Sequence, residues 1–235
     1  MTEKVALNLV VDGKSAELNA FAELLLKQNI VKGKDLLVES LITSQLSFPM
    51  ISNVYAALAA KINYKMPEIG QLLVSRLLKE FGKYYQAEQV TYATHTLKFL
   101  AHLTNQHVIN ESLSYEICLF LLENPTSSSI EMSLSYIREV GMKLTTHSPS
   151  KMHSLIDKFH ILIAESNGFP SHFRHLILDI KKMFNDKFSS HPSIDKLINV
   201  PNKGEQYMHR PSLVDGFRII GSLQQFRFDK IKEDV

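Results

Sequence analysis

The stretch Ile69-Gly-Gln-Leu-Leu-Val-Ser-Arg-Leu-Leu-Lys-Glu-Phe-Gly-Lys-Tyr84 repeats its apolar side chains at helical spacing. Residues three or four positions apart lie on one face of an α-helix, whereas a strand alternates its faces at every residue. The apolar positions here are Ile69, Leu72, Leu73, Leu77, Phe81 and Tyr84. Similar stripes occur on both sides, for example from Val54 to Ile62 and from Ile130 to Leu144. No segment of comparable length alternates, so the sequence predicts an all-α protein.

Short breaks separate these stripes. Pro67, Pro125 and Pro149 stand where a first helical turn tolerates proline. Ser148 and Thr126 are each placed to cap the helix that follows, and Gly33 is placed to end the first long one. About ten helices result, and pairs of them recur roughly every 35 to 45 residues. The short connections favour a helical-repeat solenoid of about five antiparallel helix pairs over a globular helical bundle.

The helical pattern weakens near the C-terminal end of the sequence. Pro201, Gly204 and Pro211 interrupt it, and further glycines follow. We therefore expect a helical-repeat domain over residues 1–191 and a partly extended tail over residues 192–235. The tail is expected to pack on the last repeat, with a short helix near Leu223 to Phe228.

Composition narrows the class of protein. The 235 residues include 26 Lys plus Arg and 24 Asp plus Glu, which leaves a net charge of +2. Nucleic-acid binders usually carry a stronger or more localised positive excess, so RNA contact is left open but is not indicated. The single Cys118 excludes an intramolecular disulfide and a cysteine-rich zinc site. The sequence has no apolar run of the roughly 20 residues that a membrane span needs. These features suit the cytosol or the nucleus.

Each candidate for catalytic chemistry lacks a required part. Gly13-Lys14-Ser15 resembles the end of a phosphate loop, but Asn8 stands where its first glycine would be. His95 and His102 are separated by two helical turns, about 10 Å, which is too far for one metal ion. Cys118 lies in an apolar run that is typical of core packing. The sequence therefore predicts no enzyme activity, no cofactor and no metal site.

Polar clusters occur at successive predicted turns. A helical repeat usually binds other macromolecules through its loops and its concave face. The predicted partner-binding residues at these turns are Lys32, Lys34, Asn63, Lys65, Asn105 and Gln106. The alternative is that they are ordinary solvated loop residues.

Several of these turns carry a family likeness. The first element is Gln28-Asn-Ile-Val-Lys-Gly-Lys-Asp-Leu-Leu37, followed by Ser44-Gln-Leu-Ser-Phe-Pro49. The longest is Val54-Tyr-Ala-Ala-Leu-Ala-Ala-Lys-Ile-Asn-Tyr-Lys-Met-Pro-Glu-Ile-Gly70. Phe99-Leu-Ala-His-Leu-Thr-Asn-Gln-His-Val108 and Leu121-Leu-Glu-Asn-Pro-Thr126 come next. In this order they resemble the middle domain of initiation factor 4G, a HEAT-like helical repeat, and above all its spliceosomal members.

The resemblance implies a function that the composition does not show. Proteins of this group clamp a DEAD-box ATPase of the initiation-factor 4A type. The splicing members hold the helicase of the exon junction complex with its two lobes apart. We therefore expect a nuclear, non-catalytic splicing adaptor whose partners are a DEAD-box RNA helicase and spliceosome components. The alternatives are an RNA-binding adaptor of the translation-initiation type and a structural scaffold within a large ribonucleoprotein.

The sequence departs from the family pattern in two places. The Asn-Lys pair with which splicing members contact the helicase aligns with Val11 and Asp12. Contact there is expected to be lost or rebuilt around Lys14, so Asp12 and Lys14 join the predicted partner-binding residues. The family also continues into a second helical domain, which implies that this chain is a fragment or a reduced version.

Overall fold

The structure is a computed structural model that describes residues 15–28, 30–123, 125–165, 171–193 and 206–214. These residues form nine α-helices and one 3₁₀ turn, Pro49–Ile51. The helices are α1 Ser15–Leu26, α2 Lys34–Ser47, α3 Ser52–Lys65, α4 Pro67–Gln86, α5 Val90–Asn105, α6 Glu111–Glu123, α7 Ser127–His147, α8 Pro149–Glu165 and α9 Ser171–Asn185.

The helices stack in two layers. The odd-numbered helices pack in the order α1, α3, α5, α7 and α9. Helices α4, α6 and α8 each pack on both of their neighbours in sequence, and α2 packs on α3, α4 and α5. A stack in which the main contacts join a helix to the next one or the next but one is a helical-repeat solenoid. The structure therefore confirms the all-α repeat class and disfavours the globular bundle.

Local signals in the sequence explain several helix ends. Pro67 and Pro149 are the first residues of α4 and α8, where the missing amide proton costs nothing. Thr126 caps α7 in a reciprocal capping box with Ser129. The prediction that Gly33 ends α1 is wrong. Helix α1 already stops at Leu26, and Gly33 directly precedes α2.

The core runs continuously along the stack. Ile69, Leu73, Leu77 and Phe81 are all buried, so the stripe that identified α4 faces the interior. The ring of Phe81 lies edge-on to the ring of Phe120 in α6, with centroids 6.4 Å apart. These contacts join α4 to α6 within the second layer of helices.

Residues 206–214, which we call the clasp segment, lie far from the expected position. They pack on the ends of α3 and α4 and on the α5–α6 turn, in the middle of the stack. The expectation that the tail packs on the last repeat is therefore wrong for this segment. The amide and the carbonyl of His209 pair with the carbonyl of Val108 and the amide of Asn110, which have no helical partner of their own. The helix expected near Leu223 to Phe228 lies outside the described residues.

Candidate functional site

One edge of the solenoid brings together alternate turns. Because successive helices run in opposite directions, every second turn lies on the same side. We call this side the turn edge; it comprises residues 27–28, residues 30–33, Met66, residues 106–110 and Ser148. Glu23 and Lys61 join its first two turns through an ion pair of 3.0 Å. The rings of His107 and His147 join its last two, with centroids 6.1 Å apart.

The clasp segment joins the two central turns. Asn63, near the end of α3, contacts the imidazole of His209 at 2.7 Å. The main chain of His209 pairs with Val108 and Asn110 on the α5–α6 turn, through two hydrogen bonds of 2.9 Å. All four turns of the turn edge are therefore connected by direct contacts.

The predicted partner-binding lysines lie on this edge and reach solvent. Lys32 and Lys65 are exposed, and Lys34 is partly exposed at the start of α2. They belong to the first two turns of the edge. Asp12 and Lys14 lie outside the described residues, so their predicted role stays a prediction.

The three predicted amides are not available on the surface. Asn63, Asn105 and Gln106 are each at most 5% exposed. The Asn105 side-chain amide donates to the carbonyl oxygen of Glu139 in α7 at 2.8 Å. A helix end leaves main-chain groups without intrahelical partners, and asparagine offers both a donor and an acceptor. The interpretation of these amides as surface contacts is therefore corrected, because all three are buried. Asn105 joins α5 to α7, and Asn63 binds the clasp segment.

Positive charge concentrates at the first two turns of the edge. The pKa of Glu23 is lowered, first by its hydrogen bond to Lys61 and the charge of that lysine, and further by Lys65 and Lys27. Three lysines therefore surround one carboxylate at the ends of α1 and α3. Sequence reasoning named only Lys65 of these three lysines. Lys65 is in the last turn of α3 and Lys27 directly follows α1, whereas Lys61 lies one turn earlier in α3. Cations near helix C-termini are favourable, so this placement is the signal that would have found Lys27.

Exposed aliphatic side chains lie beside these charges. Leu24, Val31 and Leu36 are 60%, 51% and 69% exposed, respectively. All three belong to α1, α2 or the turn between them. Large apolar groups next to cations, without a covering element among the described residues, are typical of a surface that docks another protein.

The buried titratable groups are suited to packing rather than to chemistry. Burial raises the pKa of the Cys118 thiol to about 12, so no reactive thiolate forms near neutral pH. Burial lowers the pKa of His102 to about 4, although Glu139 at 3.4 Å partly opposes the shift. Both side chains lie inside the stack.

The described residues present no recognisable reaction centre. Among them, no group of three or more His, Cys, Asp or Glu side chains is arranged to hold a metal ion. A cleft of about 530 Å³ lies between α4 and residues 207–211. Its histidine, His209, is already hydrogen-bonded to Asn63. None of the described helices is long and apolar enough to cross a membrane.

The stacked helix pairs and the connected turn edge define the class of protein. The family model of the MIF4G domain matches residues 16–187, which cover α1 to α9. The chain therefore belongs to the MIF4G domain family, in agreement with the resemblance of its turns.

The chain is similar in sequence to several proteins that are named as pre-mRNA-splicing factors. The chain is 35% identical over 205 residues to the pre-mRNA-splicing factor CWC22 homolog of Gallus gallus, which covers 87% of this chain and 22% of the relative. The Homo sapiens homolog is 34% identical with the same coverage. The Caenorhabditis elegans homolog is 32% identical over 209 residues, or 87% of this chain and 23% of the relative. The chain thus spans less than a quarter of the length of these relatives.

Proposed function

We propose that this chain is a non-catalytic adaptor of pre-mRNA splicing that binds a DEAD-box RNA helicase of the exon junction complex. In this proposal it acts in the nucleus and holds the helicase in an open, inactive state. The observation that carries the proposal is the similarity to splicing factors over 87% of the chain. The resemblance of the turn motifs to proteins that clamp such helicases supports the choice of partner.

The first two turns of the turn edge supply a suitable docking surface. Val31 and Leu36 expose apolar area, and Lys32 and Lys34 flank them with positive charge. Apolar contacts supply most of the affinity of an interface, whereas charges select the partner and its orientation. Lys65 and the lysines around Glu23 extend the same surface to the second turn.

An adaptor needs no catalytic group to inhibit a helicase. A DEAD-box helicase closes its two lobes around ATP and RNA when it is active. A partner that binds only the open state raises the free energy of closure by its differential affinity for the two states. A hundredfold preference for the open form corresponds to about 2.7 kcal/mol.

The experiment is a binding and activity assay with the purified exon-junction helicase and the full chain. We expect a complex at micromolar concentration and a reduced rate of RNA-stimulated ATP hydrolysis. A helicase of the same fold from outside splicing and translation serves as the control partner. Failure to form a complex at micromolar concentration would contradict the proposal.

A second candidate, an RNA-binding adaptor of the translation-initiation type, is favoured by the exposed lysines Lys27 and Lys65, which lie close to each other at the ends of α1 and α3. Lysines that contact phosphates make binding steeply dependent on salt. Binding of single-stranded RNA by the chain without the helicase, weakening steeply from 50 to 200 mM salt, would favour this second candidate.

A further inference from the structure

The clasp segment binds the repeat domain as a peptide ligand would. The amide of His209 donates to the carbonyl oxygen of Val108, and the amide of Asn110 donates to the carbonyl oxygen of His209, both at 2.9 Å. The two main chains thus form a parallel β-bridge between Ile109 and His209. Pairing through main-chain groups is the usual way in which a folded domain binds an extended peptide.

Asn63 recognises the first half of the segment. Its side-chain amide donates to the carbonyl oxygen of Tyr207 at 2.7 Å. Its Oδ1 atom therefore accepts from His209 Nε2, also at 2.7 Å, which fixes the proton of the neutral imidazole on Nε2. Gly70 leaves the space for this pair, since a Cβ atom there would lie 1.9 Å from Asn63 Oδ1 and 3.0 Å from His209 Nε2.

Glu116 in α6 recognises the second half. One oxygen of its carboxylate, Oε2, accepts from the amide of Leu213 at 2.9 Å. The side chain of Leu213 is 1% exposed, so it fills a closed apolar socket. The segment therefore buries Gln206 and its two anchors, His209 and Leu213. It exposes Tyr207 and Arg210 and leaves Pro211 and Ser212 partly exposed.

We infer that the α3–α4 turn, the α5–α6 turn and Glu116 form a peptide-binding site, which residues 206–214 of this chain occupy. Its ligand class is an extended peptide with a histidine and a leucine four residues apart. The recognising groups all belong to the helical repeat, and the ligand contributes main-chain groups and two anchors. This inference does not rest on the proposed helicase partner, because it is argued from the contacts of the clasp segment alone; the two surfaces share only the α3–α4 turn.

Attachment of the ligand to the same chain explains why the site is filled. A tethered ligand acts at an effective concentration that reaches the millimolar range, so a free peptide competes poorly with it. Weakening the two anchors in the chain should release the site for a peptide added from outside.

The test uses the full chain carrying His209→Ala and Leu213→Ala, together with a fluorescent peptide of residues 206–214. Fluorescence anisotropy should show at least tenfold tighter binding of the peptide by this variant than by the wild-type chain. A peptide with alanine at its histidine and leucine should not bind. Adding Asn63→Ala to the variant should weaken binding at least tenfold. Absence of peptide binding by a variant whose circular dichroism remains helical overturns the inference.

Hydrogen exchange of the wild-type chain provides a second test, which does not depend on whether a variant folds. The amides of Asn110, His209 and Leu213 all donate to partners across the clasp. If the segment is a separable ligand, these amides exchange together and at least tenfold faster than the interior amides of α5 and α7. If they exchange only with the global unfolding of α5 and α7, the segment is an integral part of the fold and the inference is overturned.

Discussion

The ammonium group of Lys143 in α7 donates to the carbonyl oxygen of Thr104 in the last turn of α5, at 2.5 Å. It also contacts the carbonyl oxygen of Asn105 at 3.3 Å. Lys143 is only 5% exposed, so a buried charge is held by the negative end of a neighbouring helix. The repeats are therefore linked by polar contacts at the turn edge as well as by the apolar core.

Replacing this lysine should destabilise the protein. Lys143→Met keeps much of the side-chain volume but removes the charged donor that the carbonyl oxygens of Thr104 and Asn105 share. A hydrogen bond to a charged group contributes about 1.5–3 kcal/mol, so we expect a loss of about 2 kcal/mol in the free energy of unfolding. Urea denaturation measures it, and Lys158→Met at an exposed position of α8 is the matched control. Equal stabilities of the two variants would show that the Lys143 contacts contribute nothing.

The buried His102 predicts a specific dependence of stability on pH. Its pKa in the folded protein is about 4, against 6.5 for the unperturbed side chain, because burial outweighs the charge of Glu139. Between these values the unfolded chain binds more protons than the folded one, so stability falls as the pH drops from about 6.5 to 4. The shift corresponds to a loss of about 3 kcal/mol from this group.

The measurement is urea denaturation of wild type and His102→Gln at pH 7, 5.5 and 4.5. Glutamine does not titrate, so the variant should lose less stability over this range than the wild-type chain. Parallel curves for the two proteins would exclude His102 as the source of the dependence. His95 and His209 also have lowered pKa values and contribute equally in both proteins.

Gly141 in α7 should not tolerate even a methyl group. A Cβ atom there would lie 2.3 Å from the ring of Phe188, which is fully buried. Forcing an extra carbon into a packed core typically costs about 1–3 kcal/mol, and we expect Gly141→Ala to fall in that range. In a Phe188→Ala background the ring is absent, so the same substitution should cost markedly less. Thermal denaturation of the four proteins of this cycle measures the coupling, and additive effects would contradict the packing argument.

Charge reversal at the first turn tests the proposed helicase surface. Lys32→Glu with Lys34→Glu should weaken binding of the helicase about tenfold or more, because both charges flank the exposed Val31 and Leu36. Lys83→Glu with Lys181→Glu, at exposed positions of α4 and α9 away from the first turn, is the control for the same change in net charge. Isothermal titration calorimetry measures the affinities. Equal affinities of the double variant and the control would place the interface elsewhere.

The local part of the fold could be predicted from the sequence. The apolar stripe from Ile69 to Phe81 predicts one buried helix face. Pro67 and Thr126 predict helix starts, because proline suits the first helical position and a threonine side chain can cap the first turn. Family-like runs at the turns pointed to the same architecture. Gly33 was misassigned because glycine suits both ends of a helix, and only the early stop of α1 at Leu26 decides between them.

The candidate site was predicted only in part, because its amides depend on contacts between distant residues. Nothing near Asn63 in the sequence indicates that its partners are Tyr207 and His209. Asn105 likewise pairs with Glu139 in α7, two helices further along the chain. The exposure of Lys32 and Lys65 could be predicted, because a charged side chain at a turn is rarely buried.

The pairing of Asn63 with His209 also bears on how the chain is made. The two residues are 146 positions apart, whereas the main helix contacts join near neighbours in sequence. At about 5–20 residues per second, a ribosome needs roughly 7–30 seconds to extend the chain from one to the other. The early repeats therefore stack while the central turns are still uncovered. A nascent chain passes through a stage in which its peptide site is assembled but empty, and a chaperone that recognises extended segments would find it open only then.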